Sequence, residues 1–120
     1  MKFFCDTYAL VEIIKGNKAY VPFLNQELQT SIFNLYELFY NLLRDYNEEV
    51  AKRYFYEFAG LAIEVEDKHI FAAGRYKVQL AKKNVSYTDA LGYAIAEQEG
   101  LKFLTGDKEF QHLNNVQFVK

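Results

Sequence analysis

Short apolar runs alternate along the chain with longer segments whose apolar residues recur at helical spacing. The short runs predict strands over residues 2–5, 28–31, 61–65, 101–105 and 116–119. The longer segments predict helices over residues 8–14, 32–46, 48–58 and 67–83, and a fifth that opens at Ser86 and ends at Gly100. Residues 19–24 and 107–112 are each long enough for a turn or so of helix.

This alternation of strands and helices favours βαβ units and an α/β domain with a mostly parallel sheet covered on both faces. At 120 residues we expect one domain, spanning residues 1–120, with a single compact organisation. In sheets of this kind, ligands bind outside the carboxyl ends of the strands.

The segment 67–83 has Phe71, Val78 and Ala81 on one helical face, which predicts that this face packs. Gly74 lies on the same face, where glycine costs about 1 kcal/mol of helix propensity relative to alanine. We expect the compensation to be a close approach of the Gly74 backbone to a neighbouring element.

Composition narrows the class of protein. Hydrophobic residues make up 51% of the chain, which indicates a packed core. The formal net charge of −2 does not point to a nucleic-acid binder, although a local basic rim would suffice for one. Cys5 is the only cysteine, so an internal disulfide and a zinc site with several thiolates are excluded. There is no signal-peptide pattern and no apolar run of about 18 residues, so we expect a cytoplasmic protein without membrane association.

Three aspartates stand where strands end or helices begin. Asp6 follows the first strand, Asp107 follows the fourth, and Asp89 comes three residues after Ser86. Each also has a purely structural explanation, because Asp is a favoured helix N-cap and Ser86-x-x-Asp89 has the spacing of a capping box.

Glu37 lies inside the second long helix, with Asn34 and Asn41 on the same face. A solvated helix face would explain a lone glutamate. The bulky apolar neighbours on either side predict instead a helix that is covered on most sides; they are Phe33, Leu35, Tyr36, Leu38, Phe39 and Tyr40. A carboxylate in such surroundings needs a partner or a metal.

Together, the four acidic residues predict a metal site at the carboxyl edge of the sheet. Mg²⁺ and Mn²⁺ take oxygen ligands, whereas clustered carboxylates without a cation raise one another's pKa. A metal held there would activate a water and neutralise the charge that develops on a phosphodiester.

These residues resemble the PIN-domain ribonucleases, and within them the small VapC-type toxins of toxin–antitoxin pairs. The resemblance rests on four motifs in order along essentially the whole chain: Asp6-Thr-Tyr-Ala-Leu10, Glu37-Leu-Phe-Tyr40, Ser86-x-x-Asp89-Ala-Leu91 and Thr105-Gly-Asp107-Lys-Glu-Phe110.

The resemblance implies a three-layer α/β/α domain with about five central strands and endonucleolytic cleavage of RNA. It further implies that Mg²⁺ or Mn²⁺ is bound by Asp6, Glu37, Asp89 and Asp107, with Glu37 contacting the metal directly or through water. The hydroxyls of Thr7 and Thr105 would support this acidic site. Family members usually form homodimers and are inhibited by a small antitoxin protein.

Two other functions fit parts of the sequence. One is a catalytically silent PIN-fold binding module that acts through protein or RNA contacts. The other is a receiver-like phosphoacceptor domain, which fits poorly because Asp6 has no adjacent acidic residue. His69, His112 and Ser86 stand in no metal-binding or nucleophile motif, so we assign them no chemistry.

Overall fold

A computed structural model describes residues 1–120 and has one five-stranded, all-parallel sheet at its centre. The strands are β1 (Lys2–Cys5), β2 (Glu27–Ser31), β3 (Ala62–Ile63), β4 (Lys102–Thr105) and β5 (Val116–Phe118). Their spatial order is β3-β2-β1-β4-β5, and every neighbouring pair is parallel. The predicted α/β class with about five strands is confirmed.

Five α-helices surround the sheet: α1 (Thr7–Ile14), α2 (Ile32–Asp45), α3 (Glu48–Phe58), α4 (Asp67–Gln79) and α5 (Tyr87–Gln98). Short 3₁₀ helices occupy Lys18–Phe23, Ala59–Leu61 and Lys108–Phe110. Two predicted segments were too long. The third strand is only two residues, because Leu61 belongs to the preceding 3₁₀ turn, and α4 ends at Gln79 rather than at residue 83.

Two separate apolar cores lie on the two faces of the sheet. In β1, Phe3 and Cys5 point into the core beneath α1, α2 and α3, while Phe4 points into the core beneath α4 and α5. Phe103 and Leu104 of β4 divide in the same way. This alternation, with both faces buried, produces the α/β/α layers.

The strand order places a topological switch point between β1 and β4. From β1 the chain proceeds to β2 and β3 on one side, and later returns to β4 and β5 on the other. The two central strands are in register with Cys5 opposite Leu104, so Asp6 and Thr105 emerge side by side at their carboxyl ends. Connections diverge from such a point and leave a crevice there, which is where open α/β sheets bind ligands.

The predicted packing face of α4 is wrong. Phe71 and Val78 are 64% and 78% exposed, and α4 instead buries His69, Ala72 and Ala73. Small alanines allow α4 to lie close to α5, which leaves the larger apolar side chains on the outside. A Cβ built on Gly74 would meet nothing within 4 Å, so the predicted close backbone approach is wrong as well.

The covering predicted for α2 is also only partial. Leu35, Leu38 and Leu42 are buried against the sheet, but Phe33, Tyr36 and Tyr40 are exposed. The helix thus has one packed stripe and one open aromatic face.

None of the helices combines the length and hydropathy that a membrane span requires.

Candidate active site

Asp6 lies at the base of the crevice and is almost completely buried, with 2% of its surface exposed. It is the N-cap of α1, and its Oδ1 accepts the backbone N–H of Ala9 at 2.8 Å. Its Oδ2 accepts a short hydrogen bond from the hydroxyl of Thr105. Both carboxylate oxygens are therefore held by neighbours from α1 and β4.

The turn after β4 carries Asp107 to the same place. Thr105 Oγ1 accepts the backbone N–H of Asp107 at 3.0 Å while it donates to Asp6, so a single hydroxyl joins the two acidic residues. Asp107 in turn caps the following 3₁₀ helix through Oδ1, which accepts the Glu109 N–H at 3.0 Å. Gly106 between them leaves no room for a side chain, because its Cβ would lie 2.2 Å from Tyr8 Cε1.

Asp89 stands in the first turn of α5, where the predicted capping box is present. Ser86 Oγ accepts the Asp89 N–H at 3.1 Å, and Asp89 Oδ2 accepts the Ser86 N–H at 3.0 Å. Ser86 is thus a helix cap, in agreement with the absence of a nucleophile motif around it.

Glu37 reaches the crevice from α2, which begins directly after β2. Its Oε1 accepts the hydroxyl of Thr7 at 2.7 Å, across 30 positions in the chain. Thr7 is the residue after Asp6, so the two threonines that the family resemblance singles out each bind one of the four carboxylates.

The structural and chemical explanations of the acidic residues are compatible. Each of Asp6, Asp89 and Asp107 does cap a helix, as their positions predict. In Asp89 and Asp107, however, only one carboxylate oxygen accepts the capping hydrogen bond, and the other oxygen takes no part in it. A cap of this kind orients a carboxylate and still leaves an oxygen for a ligand.

The charges of the four carboxylates act on one another. Burial raises the pKa of Asp6 to about 7; its hydrogen bonds with Thr105 and Ala9 lower the pKa, and the charges of Asp89 and Asp107 raise it. The pKa of Asp89 is raised by burial above all and also by the charges of Asp107 and Glu37. None of the four takes part in a salt bridge. The site therefore concentrates negative charge without a cationic side chain to balance it.

The donor chemistry of this site suits a hard divalent cation, since all four side chains offer only oxygen. No three of them bring oxygens within 4.8 Å of one another, so the spacing leaves room for water ligands beside the carboxylates. Mg²⁺ usually keeps several waters in protein sites. The residues present therefore fit such an ion.

A tighter cluster of possible metal ligands occurs elsewhere, at Glu66, His69 and Glu99. His69 Nδ1 accepts the Glu66 N–H at 3.0 Å, so its Nε2 carries a proton and donates it to Glu99 Oε2 at an N–O distance of 3.0 Å. The ammonium of Lys68 lies 3.1 Å from the same glutamate. These bonds join α4 to α5 and give both ring nitrogens of the histidine a partner. Glu99 follows Asp89 by ten positions and stands at the other end of α5, which corresponds to roughly 15 Å.

Sequence reasoning gave no role to two buried polar residues near Glu37. Ser31 and Asn34 have 0% and 1% of their surface exposed, and Asn34 Nδ2 donates to Thr7 Oγ1 at 3.1 Å. The signal for both was their spacing of three residues along one face with Glu37. His112 is exposed and makes no hydrogen bond within the site.

Fold and site together define an α/β/α domain with an acidic crevice at its switch point. The family model of the PIN domain matches residues 3–116, and the chain belongs to the PIN domain family. The resemblance drawn from the four motifs is thereby confirmed. No curated protein matches the chain by sequence.

Several solved structures have this fold. A chain of DNA-bound VapBC from Salmonella typhimurium is similar with a TM-score of 0.78 at 20% identity, over 99% of this chain and 97% of that one. A chain of VapBC2 from Rickettsia felis, bound to a promoter DNA fragment, has a TM-score of 0.76 at 21% identity, over 99% of this chain and 98% of that one. VapC20 from Mycobacterium tuberculosis, described as a sarcin-ricin loop cleaving toxin, has a TM-score of 0.76 at 18% identity, over 98% of this chain and 96% of that one.

Proposed function

We propose that the protein is a metal-dependent endoribonuclease and the toxin of a toxin–antitoxin pair. The observation that carries the proposal is the convergence of Asp6, Glu37, Asp89 and Asp107 at the switch point with no cationic side chain among them. Membership of the PIN domain family supports it, as do neighbours described as toxin–antitoxin complexes and as a sarcin-ricin loop cleaving toxin. The whole of residues 1–120 would act as one domain, in the cytoplasm, where its RNA substrate is found.

In this proposal Asp6, Asp89 and Asp107 hold Mg²⁺ or Mn²⁺, and Glu37 contacts the ion directly or through water. The ion would supply an activated water and would neutralise charge on the scissile phosphate. The protein's own part is orientation. Thr105 fixes Asp6 and the Asp107 backbone together, and Thr7 fixes Glu37. No histidine or lysine is needed as a general base.

Two apolar grooves support the proposed protein partners. One, of about 390 Å³, lies between α2 and α3 and is lined by Ile32, Tyr36, Phe39, Lys52, Phe55 and Tyr56. Tyr36 precedes Glu37 in α2, so this groove lies on the helix that also carries one of the four carboxylates.

The second groove, of about 710 Å³, lies between α4 and α5 and includes Ile70, Val78 and Tyr87, all more than half exposed. Seven of its nine lining residues are hydrophobic, and its position on the opposite layer leaves the first groove free. We assign it to a second copy of this chain, which gives the homodimer.

The alternative proposal is a PIN-fold module that binds protein or RNA without cleaving it. The unbalanced carboxylates count against this alternative, because clustered acids without a cation destabilise the fold.

Cleavage of a labelled structured RNA by the purified protein tests the proposal. We expect cutting with Mn²⁺, none with EDTA, and none with Asp6→Asn in Mn²⁺. An absence of cutting across several RNAs, together with no Mn²⁺ binding by calorimetry, would contradict the proposal and favour the binding module. Mn²⁺ binding without cutting would retain the metal site and contradict the choice of substrate.

A further inference from the structure

We infer that Ser31 and Asn34 are positioning residues that act on the metal site through Thr7 and Glu37, by a hydrogen-bond relay whose direction is fixed. The inference deepens the proposed function and rests on it. Three consecutive side-chain bonds form the relay: Ser31 Oγ to Asn34 Oδ1 at 2.7 Å, Asn34 Nδ2 to Thr7 Oγ1 at 3.1 Å, and Thr7 Oγ1 to Glu37 Oε1 at 2.7 Å.

The direction of the relay starts at the N-cap of α2. Ser31 Oγ accepts the backbone N–H of Asn34 at 3.2 Å, as an N-cap serine does. Its own hydroxyl hydrogen then needs an acceptor, and the residue is completely buried. Asn34 Oδ1 is the acceptor within reach, so the serine fixes which end of the amide faces it.

The orientation of the amide then determines what Thr7 can do. With Oδ1 toward Ser31, the Asn34 amide presents Nδ2 to Thr7 Oγ1, so this hydroxyl receives one hydrogen bond as an acceptor. The single hydrogen of Thr7 is therefore directed to Glu37 Oε1. If the amide were reversed, Thr7 would donate to asparagine and Glu37 Oε1 would lose its donor.

The relay is rigid because of where its members lie. Ser31 and Asn34 are buried where β2 passes into α2, and Thr7 is in the first turn of α1 beside the metal-site residue Asp6. The relay therefore ties α2 to α1 and holds one oxygen of Glu37, while Oε2 accepts no bond from the protein. The relay therefore orients Glu37 before a metal binds. Hydrogen bonds that orient a metal-binding side chain in this way strengthen metal binding.

A double-mutant cycle on Mn²⁺ affinity, measured by calorimetry, tests the relay with all four carboxylates intact. Asn34→Leu removes the amide at similar volume, and Thr7→Val removes the hydroxyl. Each is expected to weaken Mn²⁺ binding by about 3- to 30-fold. The double variant should bind as weakly as Thr7→Val alone, because the relay is already broken there. Thr7→Ser, which keeps the hydroxyl, should restore most of the affinity.

Asn41→Leu is the matched control, since Asn41 lies on the same helix two turns further on and makes no hydrogen bond with the site; its Mn²⁺ affinity should equal that of the wild type. If the losses of Mn²⁺ affinity in Asn34→Leu and Thr7→Val multiply in the double variant, the two substitutions act independently, and this result would overturn the relay. Unchanged affinity in Asn34→Leu would overturn it too. A wild-type protein that binds no Mn²⁺ would overturn both the relay and the proposed metal site.

Discussion

The hydroxyl of Thr105 donates a hydrogen bond to the buried carboxylate of Asp6 across 99 positions of the chain. The same oxygen accepts the backbone N–H of Asp107. One threonine at the end of β4 thus connects the residue at the end of β1 to the turn that carries a third acidic side chain. The geometry of the site therefore depends on the β1–β4 pairing.

Thr105→Val should weaken both connections. The variant keeps the shape of the side chain but leaves the Asp107 N–H without its acceptor, which costs about 1–3 kcal/mol of unfolding free energy. It also removes the hydroxyl donor that lowers the pKa of Asp6. Chemical denaturation and Mn²⁺ calorimetry would measure the two losses. Thr105→Ser is the control and should retain both properties; equal losses in the serine variant would contradict a role for the hydroxyl.

The metal-free protein should become less stable as pH rises between about 4 and 7. Burial raises the pKa of Asp6 to about 7 from an ordinary 3.8, so over this range the unfolded chain has released a proton that the folded chain still holds. The contribution of Asp6 to the free energy of unfolding is therefore most favourable at low pH. It falls by up to about 4 kcal/mol as the pH increases.

Denaturation of the wild type and of Asp6→Asn in EDTA, repeated at several pH values, measures this effect as the difference between the two proteins. As the pH rises, the free energy of unfolding of Asp6→Asn should increase relative to that of the wild type. Saturating Mn²⁺ should stabilise the wild type and not the variant. A difference that is constant with pH would show that Asp6 is not held in a desolvated state.

Gly106→Ala should destabilise the fold and displace Asp107. The new methyl group would lie 2.2 Å from Tyr8 Cε1 and 2.5 Å from the carbonyl oxygen of Val119, and the backbone contact cannot be relieved by a rotamer change. We expect a loss of about 1–3 kcal/mol in unfolding free energy.

Gly74→Ala provides the opposite case within the same chain. Nothing lies within 4 Å of a Cβ at this position in α4, so the substitution should stabilise the protein by about 1 kcal/mol through helix propensity. Thermal unfolding of the two alanine variants side by side should move in opposite directions. A destabilised Gly74→Ala would contradict the open surroundings of this position within one copy of the chain.

Val78→Asp should prevent dimerisation if a second copy occupies the groove between α4 and α5. Val78 is 78% exposed, so the charge costs the monomer little, but it would be buried without a partner in the dimer. Sedimentation should show the variant as a monomer and the wild type as a dimer. Tyr56→Asp, in the groove between α2 and α3, is the control and should remain dimeric; dissociation caused by Tyr56→Asp alone would exchange the two assignments.

Local sequence patterns predicted those members of the candidate site that stand at strand ends and helix starts. Asp6 and Asp107 were recognised because strand ends and helix caps are visible in a few consecutive residues. The Ser86 capping box predicted only the structural role of Asp89, and its assignment to the acidic site came from the four carboxylates taken together and from the family resemblance. Glu37 was found for a partly incorrect reason, since the aromatic residues beside it are largely exposed rather than covering.

The remaining features depend on contacts that no local window contains. The relay from Ser31 to Glu37 includes Thr7 from another helix, and its direction follows from burial at the β2–α2 junction. The outer face of α4 was misjudged for a related reason. Helical periodicity shows that Phe71 and Val78 share a face, whereas the small residues Ala72 and Ala73 decide which face can approach α5.

The rate of RNA cleavage by Asp89→Asn compared with Asp67→Asn, both in Mn²⁺, shows whether the acidic crevice carries the proposed ribonuclease activity. Both aspartates stand in the first turn of a long helix, but only Asp89 belongs to the acidic crevice. We expect a loss of at least about 100-fold in Asp89→Asn and a wild-type rate in Asp67→Asn. Equal rates in the two variants, or cleavage that persists in EDTA, would contradict a metal-dependent ribonuclease built on these four carboxylates.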